Sequence, residues 1–174
     1  MIQNIAIIGI NRKEAYEVSK ILASELDMHF FDCLELFEFD NLPRTFTQIL
    51  TEYGEEYYRK KEKGLIAYAS GFENCVINMD SGVIETEENI VKIKETCLLI
   101  YLHKPASKIK KTLEKEKYVS EQESLFYNIN NERLKNRIKI LKDSAHIKVV
   151  AEGGGLKIAS DVIQKIKEYY KINL

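Results

Sequence analysis

The sequence predicts a doubly wound α/β sheet, and three observations carry that reading. Apolar runs of strand length recur along the chain. Segments with helical patterning separate them. Most of the runs are apolar throughout, as parallel strands covered on both faces require. The spacing predicts strands at Ile2–Ile8, His29–Phe31, Cys75–Met79, Thr96–Leu102 and Ile147–Val150. Helices are expected at Glu14–Leu26, Cys33–Glu38, Thr45–Tyr53, Glu55–Ala69, Glu87–Lys94, Ala106–Lys117, Asn131–Ser144 and Leu156–Tyr170. Right-handed crossovers would join successive strands.

Each element has a local reason. Ile5-Ala6-Ile7-Ile8 is a buried-strand pattern that closes on Gly9. Asp32 follows Phe30-Phe31 at the place where a carboxylate caps the next helix. Pro43 sits in the short Asp40–Arg44 connection, and Pro105 is well placed to open a helix after Leu102-His103-Lys104. Tyr118–Asn131 is polar and interrupted, so it reads as a mobile loop. Gly153–Gly155 reads as a plain turn before the last helix, because it lacks the G-x-G-x-x-G frame of a dinucleotide site. With no internal repeat and no divisive linker, residues 1–174 read as one domain.

Composition excludes several classes. A 174-residue chain that is 45% hydrophobic can bury a core, and a net charge of −1 leaves no basic excess for nucleic acid. No apolar run has the length of a membrane span, and the first residues read as a strand rather than a signal peptide. Cys33, Cys75 and Cys97 form no C-x-x-C pair, which suits reduced thiols in the cytoplasm and argues against a metal site. His29, His103 and His146 flank predicted strands and read as packed or exposed side chains. Tyr57, Tyr58, Tyr68, Tyr169 and Tyr170 fall on helices and read as packing.

Strand, glycine and helix in this order form the setting of a phosphate-binding P-loop, G-x-x-x-x-G-K-[ST]. The residues from Gly9 are Gly-Ile-Asn-Arg-Lys-Glu-Ala-Tyr-Glu. Gly9 stands at the first glycine, but Glu14 replaces the second, Ala15 the lysine and Tyr16 the hydroxyl residue. Such a loop works by letting backbone N–H groups converge on an anion. A carboxylate and a phenol oppose phosphate there by charge and volume. Arg12 adds a further side chain to the loop. Lys13 lies two positions before Ala15, and Lys20 lies five after it, about 140° around a helix. Neither replaces the missing lysine.

Several further blocks point one way. Leu22-Ala23-Ser24-Glu25-Leu26 precedes Phe30-Phe31-Asp32. Thr47-Gln48-Ile49-Leu50 precedes Gly54-Glu55-Glu56-Tyr57-Tyr58-Arg59-Lys60-Lys61-Glu62, the most specific block. Ile77-Asn78-Met79-Asp80-Ser81-Gly82-Val83-Ile84 is followed by Glu88-Asn89 and Leu99-Ile100-Tyr101-Leu102, and Arg137 lies eight residues before Ala145. Together with Ile7-Ile8-Gly9, these blocks resemble the shikimate kinase family over nearly the whole chain. The resemblance implies a three-layer P-loop kinase fold with five parallel strands in the order 2-3-1-4-5. It also implies a lid-like loop at about 118–131, and ATP- and magnesium-dependent phosphorylation of the 3-hydroxyl of shikimate.

By the same resemblance, Asp32 matches an aspartate near magnesium, Arg59 and Arg137 match arginines that bind the shikimate carboxylate, and Glu62 matches an acid that orients this region. Only Gly82 remains of a glycine run, with Asp80 and Ser81 in place of the others. Leu34 replaces a hydroxyl-gripping aspartate, and Gln122-Glu123-Ser124-Leu125 stands where a lid arginine is expected. The residues also permit plainer roles. Asp32 serves equally as a helix cap, and Arg59 pairs as readily with Glu55, Glu56 and Glu62 on its own helix. Arg137 alone reads as solvated among the basic residues of Arg133–Lys142, and lysines 104, 108, 110, 111, 115 and 117 read as a solvated face. No residue is assigned as catalytic. A remnant substrate site at Asp32, Arg59, Gly82 and Arg137 is expected, with magnesium on Asp32 only if the metal binds at all. The reading is a shikimate-kinase-like pseudokinase that needs no cofactor and binds a small carboxylate or a protein partner. The alternatives are a divergent working kinase using ATP and magnesium, and a regulatory subunit of an active enzyme. An internal ion pair between Asp80 and an arginine is expected to close the remnant site.

Overall fold

A computed structural model describes residues 4–113, 126 and 130–171. Most of the expected lid, including Gln122-Glu123-Ser124-Leu125, lies outside these residues. So does the end of the helix expected to reach Lys117.

The central strand β1 (Asn4–Gly9) is buried at every position, because the chain covers both of its faces. It pairs in parallel with β3 (Cys75–Met79) on one side and β4 (Cys97–His103) on the other. The outer strands are β2 (His29–Asp32), against β3, and β5 (Ile147–Val150), against β4. The sheet is parallel with the order β2-β3-β1-β4-β5 expected from the resemblance. In β5 only Ile147 and Val149 are buried, the alternation of an edge strand with one face in the core.

Strand periodicity sorts β1 into two half-cores. Ile5 and Ile7 pack with Val76, Leu98 and Ile100 against α1 (Arg12–Glu25) and α7 (Gly155–Tyr170). Ala6 and Ile8 pack with Ile77, Leu99 and Tyr101 against the other helices. These are α2 (Cys33–Asp40), α3 (Phe46–Ala69), α4 (Glu87–Thr96), α5 (Ala106–Leu113) and α6 (Asn131–Ser144). The result is the expected three layers, helix on sheet on helix.

Several bounds differ from expectation, and four of the differences matter here. First, α1 starts at Arg12, two residues before Glu14, because the Asn11 side chain caps it by accepting from Glu14 N. Second, the two expected helices around Gly54 form one element, α3, interrupted only where Gly54 takes φ 77°, ψ 174°. Third, Ser81–Glu85 forms a 3-10 turn that the sequence reading did not anticipate, with Asp80 as its cap accepting from Gly82 N. Fourth, Thr96 ends α4 rather than opening β4, and Cys97 takes the extended backbone of the strand.

Candidate functional site

At the mouth of β1, only Ile10 and Asn11 separate the strand from α1. No residue from Gly9 to Tyr16 has positive φ, so the segment never makes the left-handed turns that gather N–H groups into a nest. Glu14 N is spent on the Asn11 side chain and Ala15 N on the Asn11 carbonyl, at 3.1 Å. Ala15 is buried and packs into the core beneath Gly9. The Glu14 carboxylate pairs with Lys104, which arrives from the connection after β4. Lys104, placed by sequence on a solvated face, is therefore largely covered and committed to the loop. Ninety residues separate the two, which is why no local pattern reveals the pair. Tyr16 turns away from the loop and donates to Glu35 at 2.7 Å. That hydrogen bond, with burial, pushes its phenol up to about 12. Lys13 and Lys20 are exposed, and Lys20 sits 5.5 Å from the Tyr16 ring.

Asp32 ends β2 and is buried. Its Oδ1 accepts from Leu34 N and Glu35 N and pairs with Arg12 at 2.7 Å, while its Oδ2 accepts from Asn78 at 2.6 Å. The capping role is thus present. So is an ion pair the sequence did not suggest, which ties the loop to β2. Among the described residues, no group of three or more His, Cys, Asp or Glu side chains is arranged to hold a metal ion. The three cysteines are free and buried.

The arginine site lies farther along the strand ends. Arg59 stands on α3, and Arg137 on α6 is only 2% exposed, so it is not the solvated side chain its basic neighbourhood suggested. Both guanidiniums converge on Gly82. A methyl group there would collide with Nη2 of Arg59 and come within 2.8 Å of Nη2 of Arg137. Glycine lets both guanidiniums come this close, and a larger residue would make them shift. Arg59 donates Nε–H to Glu55 at 3.1 Å and Nη1–H to Glu62 at 2.6 Å, and the same Nη1 lies 2.9 Å from Asp80 Oδ2. Arg137 bonds Glu85 at 2.7 Å and Ser81 Oγ at 3.1 Å. The Nη2 atoms of both arginines are buried and, among the described residues, have no hydrogen-bond partner. Phe126 lies over the Arg59 guanidinium at 4.7 Å.

The structure therefore brings Arg59, Gly82 and Arg137 together, while Asp32 pairs with Arg12 instead of either of these arginines. The expected ion pair between Asp80 and an arginine is present, on Arg59. Burial opposes ionisation of Asp80, but Arg59, Arg137 and the Gly82 amide together hold its carboxyl below the usual range. Sequence reasoning missed Glu85 and Arg133. Arg133 forks to Glu55 and Glu85, both at 2.7 Å, and so fixes the acids that orient the two site arginines. Burial alone would raise Glu85, yet the hydrogen bonds from Arg133 and Arg137 hold it at about 2. The one available signal was the i, i+4 spacing of Arg133 and Arg137, which puts both on one helix face.

Comparison with known proteins agrees with this geometry. The family described as shikimate kinase matches residues 17–167, beginning just past the altered loop. A shikimate kinase of Alkaliphilus oremlandii is 33% identical over 102 residues, 59% of this chain and 60% of that protein. One from Clostridium botulinum is 28% identical over 173 residues, 95% of this chain and 98% of that one. Among solved structures, shikimate kinase from Acinetobacter baumannii in complex with shikimate superposes with a TM-score of 0.80 at 20% identity, covering 99% of this chain and 97% of that one. The Aquifex aeolicus enzyme gives 0.77 at 23%, covering 96% and 98%. At these identities the structures speak for the fold, and the sequence match over most of the chain speaks for descent: the chain belongs to the shikimate kinase family.

Proposed function

We propose that this member of the shikimate kinase family has lost efficient ATP-dependent phosphoryl transfer and acts as a binder of a small carboxylate. One observation carries the reading. The segment from Gly9 to Tyr16 runs straight into a helix, with the N–H groups of Glu14 and Ala15 spent internally and the Glu14 carboxylate paired with Lys104. A triphosphate needs that space, those N–H groups and a lysine, and Ala15 supplies no charge. Phosphoryl transfer depends on cations that neutralise the moving group, and one such group is worth about 10³-fold or more.

The residues present do not fit magnesium and nucleotide. Asp32 already accepts four hydrogen bonds from Arg12, Asn78 and two backbone amides. Drawing it into a metal shell would take Asp32 from the half-buried Arg12 guanidinium and unmake a helix cap. No step is therefore assigned to nucleotide or metal.

The acceptor half is better preserved. Two buried Nη2 groups over Gly82 have no acceptor among the described residues, and a buried donor left unmade costs about 1–3 kcal/mol. A carboxylate spanning both would satisfy them by charge-assisted hydrogen bonds. Leu34, buried and apolar, offers nothing to a hydroxyl, which favours a carboxylate with few polar groups elsewhere.

A coupled assay with shikimate, ATP and magnesium tests the loss of transfer. Turnover should stay at background while an active family member run in parallel reacts. Robust turnover that Asp32→Ala abolishes would instead make the chain a divergent working kinase.

A further inference from the structure

Arg59 is asked to neutralise more carboxylate than one guanidinium can. On its own helix it meets Glu55 and Glu62, and from the 3-10 turn it meets Asp80. Glu55 and Glu85 are relieved by Arg133 and Arg137 on α6, and Asp80 by Arg137 and the Gly82 amide. Glu62 has no second cation among the described residues; beyond Arg59 it has only a neutral hydrogen bond from Tyr58. It is 2% exposed, its Oε1 shares Nη1 of Arg59 with Asp80, and its Oε2 has no hydrogen-bond partner among the described residues. The other titratable groups facing it are Tyr58 on α3 and Cys33 on α2. Burial pushes both well up, so they stay neutral and offer no cation.

We propose that the Arg59–Arg137 cradle takes up a carboxylate ligand together with a proton, and that the proton goes to Glu62. The inference rests on the carboxylate-binding reading above. A bound carboxylate adds a fourth negative group around Arg59. The cheapest charge to remove is that of the acid with an unpartnered, buried oxygen. In agreement, burial first and Asp80 next raise Glu62 to about 7, against the lowering pull of Arg59. The sign follows directly. Below that value Glu62 is already protonated and binding moves no proton. Above it the ligand must displace the charge, so affinity falls as pH rises.

The test is calorimetric titration with shikimate and with benzoate, both ionised throughout, from about pH 6 to about pH 9 in buffers of different ionisation heat. Dissociation constants should rise toward about tenfold per pH unit above neutrality, with proton uptake rising toward one per ligand. In Glu62→Gln, which keeps shape and removes the charge, affinity should become flat with pH and remain at the low-pH level. A carbon-13 titration of the Glu62 carboxyl checks the free protein and should give a midpoint near neutrality. Binding without pH dependence, an unchanged slope in Glu62→Gln, or a midpoint in the ordinary carboxylate range would each overturn the coupling while leaving the cradle. If neither probe binds at any pH, with amide spectra showing intact folding, the cradle itself is wrong and the coupling falls with it.

Discussion

Asp80 brings a carboxylate of the chain itself to the guanidinium of Arg59, at 2.9 Å, and the same oxygen accepts from Gly82 N. A ligand carboxylate in the cradle would meet this charge at close range. Removing it should help binding. Asp80→Gly is expected to tighten benzoate or shikimate at least about tenfold, close to 1.4 kcal/mol, read from amide shifts around Gly82. Asp80→Asn, which keeps a cap on the 3-10 turn, should give most of the same gain. Unchanged or weaker binding in both variants would mean that Asp80 does not compete for the seat. At this scale the sequence was partly informative. The i, i+3 and i, i+4 spacing of Glu55, Arg59 and Glu62 showed their pairing on one helix. The Glu14–Lys104 and Arg12–Asp32 pairs were not legible, because they join segments that only the folded sheet brings together.

Among the elements, α3 shows how backbone conformation alone can be demanding. Gly54 breaks the helix with φ 77° and ψ 174°, a combination open in practice only to glycine, although a Cβ there would meet no neighbouring atom within 4 Å. The requirement is conformational, not steric. Gly54→Ala should cost about 1–3 kcal/mol, measured as a lower urea midpoint with unchanged slope. A neutral result would show that the two halves of α3 can join without strain. The elements themselves were largely readable, since fully apolar strands and amphipathic helices leave strong patterns. The start of α1 was not. The helical pattern placed it at Glu14, whereas an asparagine cap at Asn11 begins the helix two residues earlier. The 3-10 turn at Ser81–Glu85 escaped notice because Asp80 and Ser81 stand where the family resemblance led one to expect glycines.

For the whole molecule, the parallel sheet sets two anion-seeking places along its strand ends. One is the loop after β1, and the other the arginine pair over Gly82 that α3 and α6 close. In each, a carboxylate of the chain stands beside the cation: Glu14 with Lys104, and Asp80 with Arg59. Strand order and layering were legible because topology follows from long apolar runs and a recognisable family pattern. The pairing of Asp80 with an arginine was expected from the family resemblance, whereas the Glu14–Lys104 pair joins side chains distant in sequence and emerged only with the fold. Among the described residues, no helix is long and apolar enough to cross a membrane. The most direct measurement is calorimetric titration with Mg-ATP. The account predicts no binding tighter than the millimolar range, about −4 kcal/mol. Micromolar binding that shifts the amide signals of Gly9–Tyr16 would contradict it, because the nucleotide would then occupy the loop that the chain is argued to have closed.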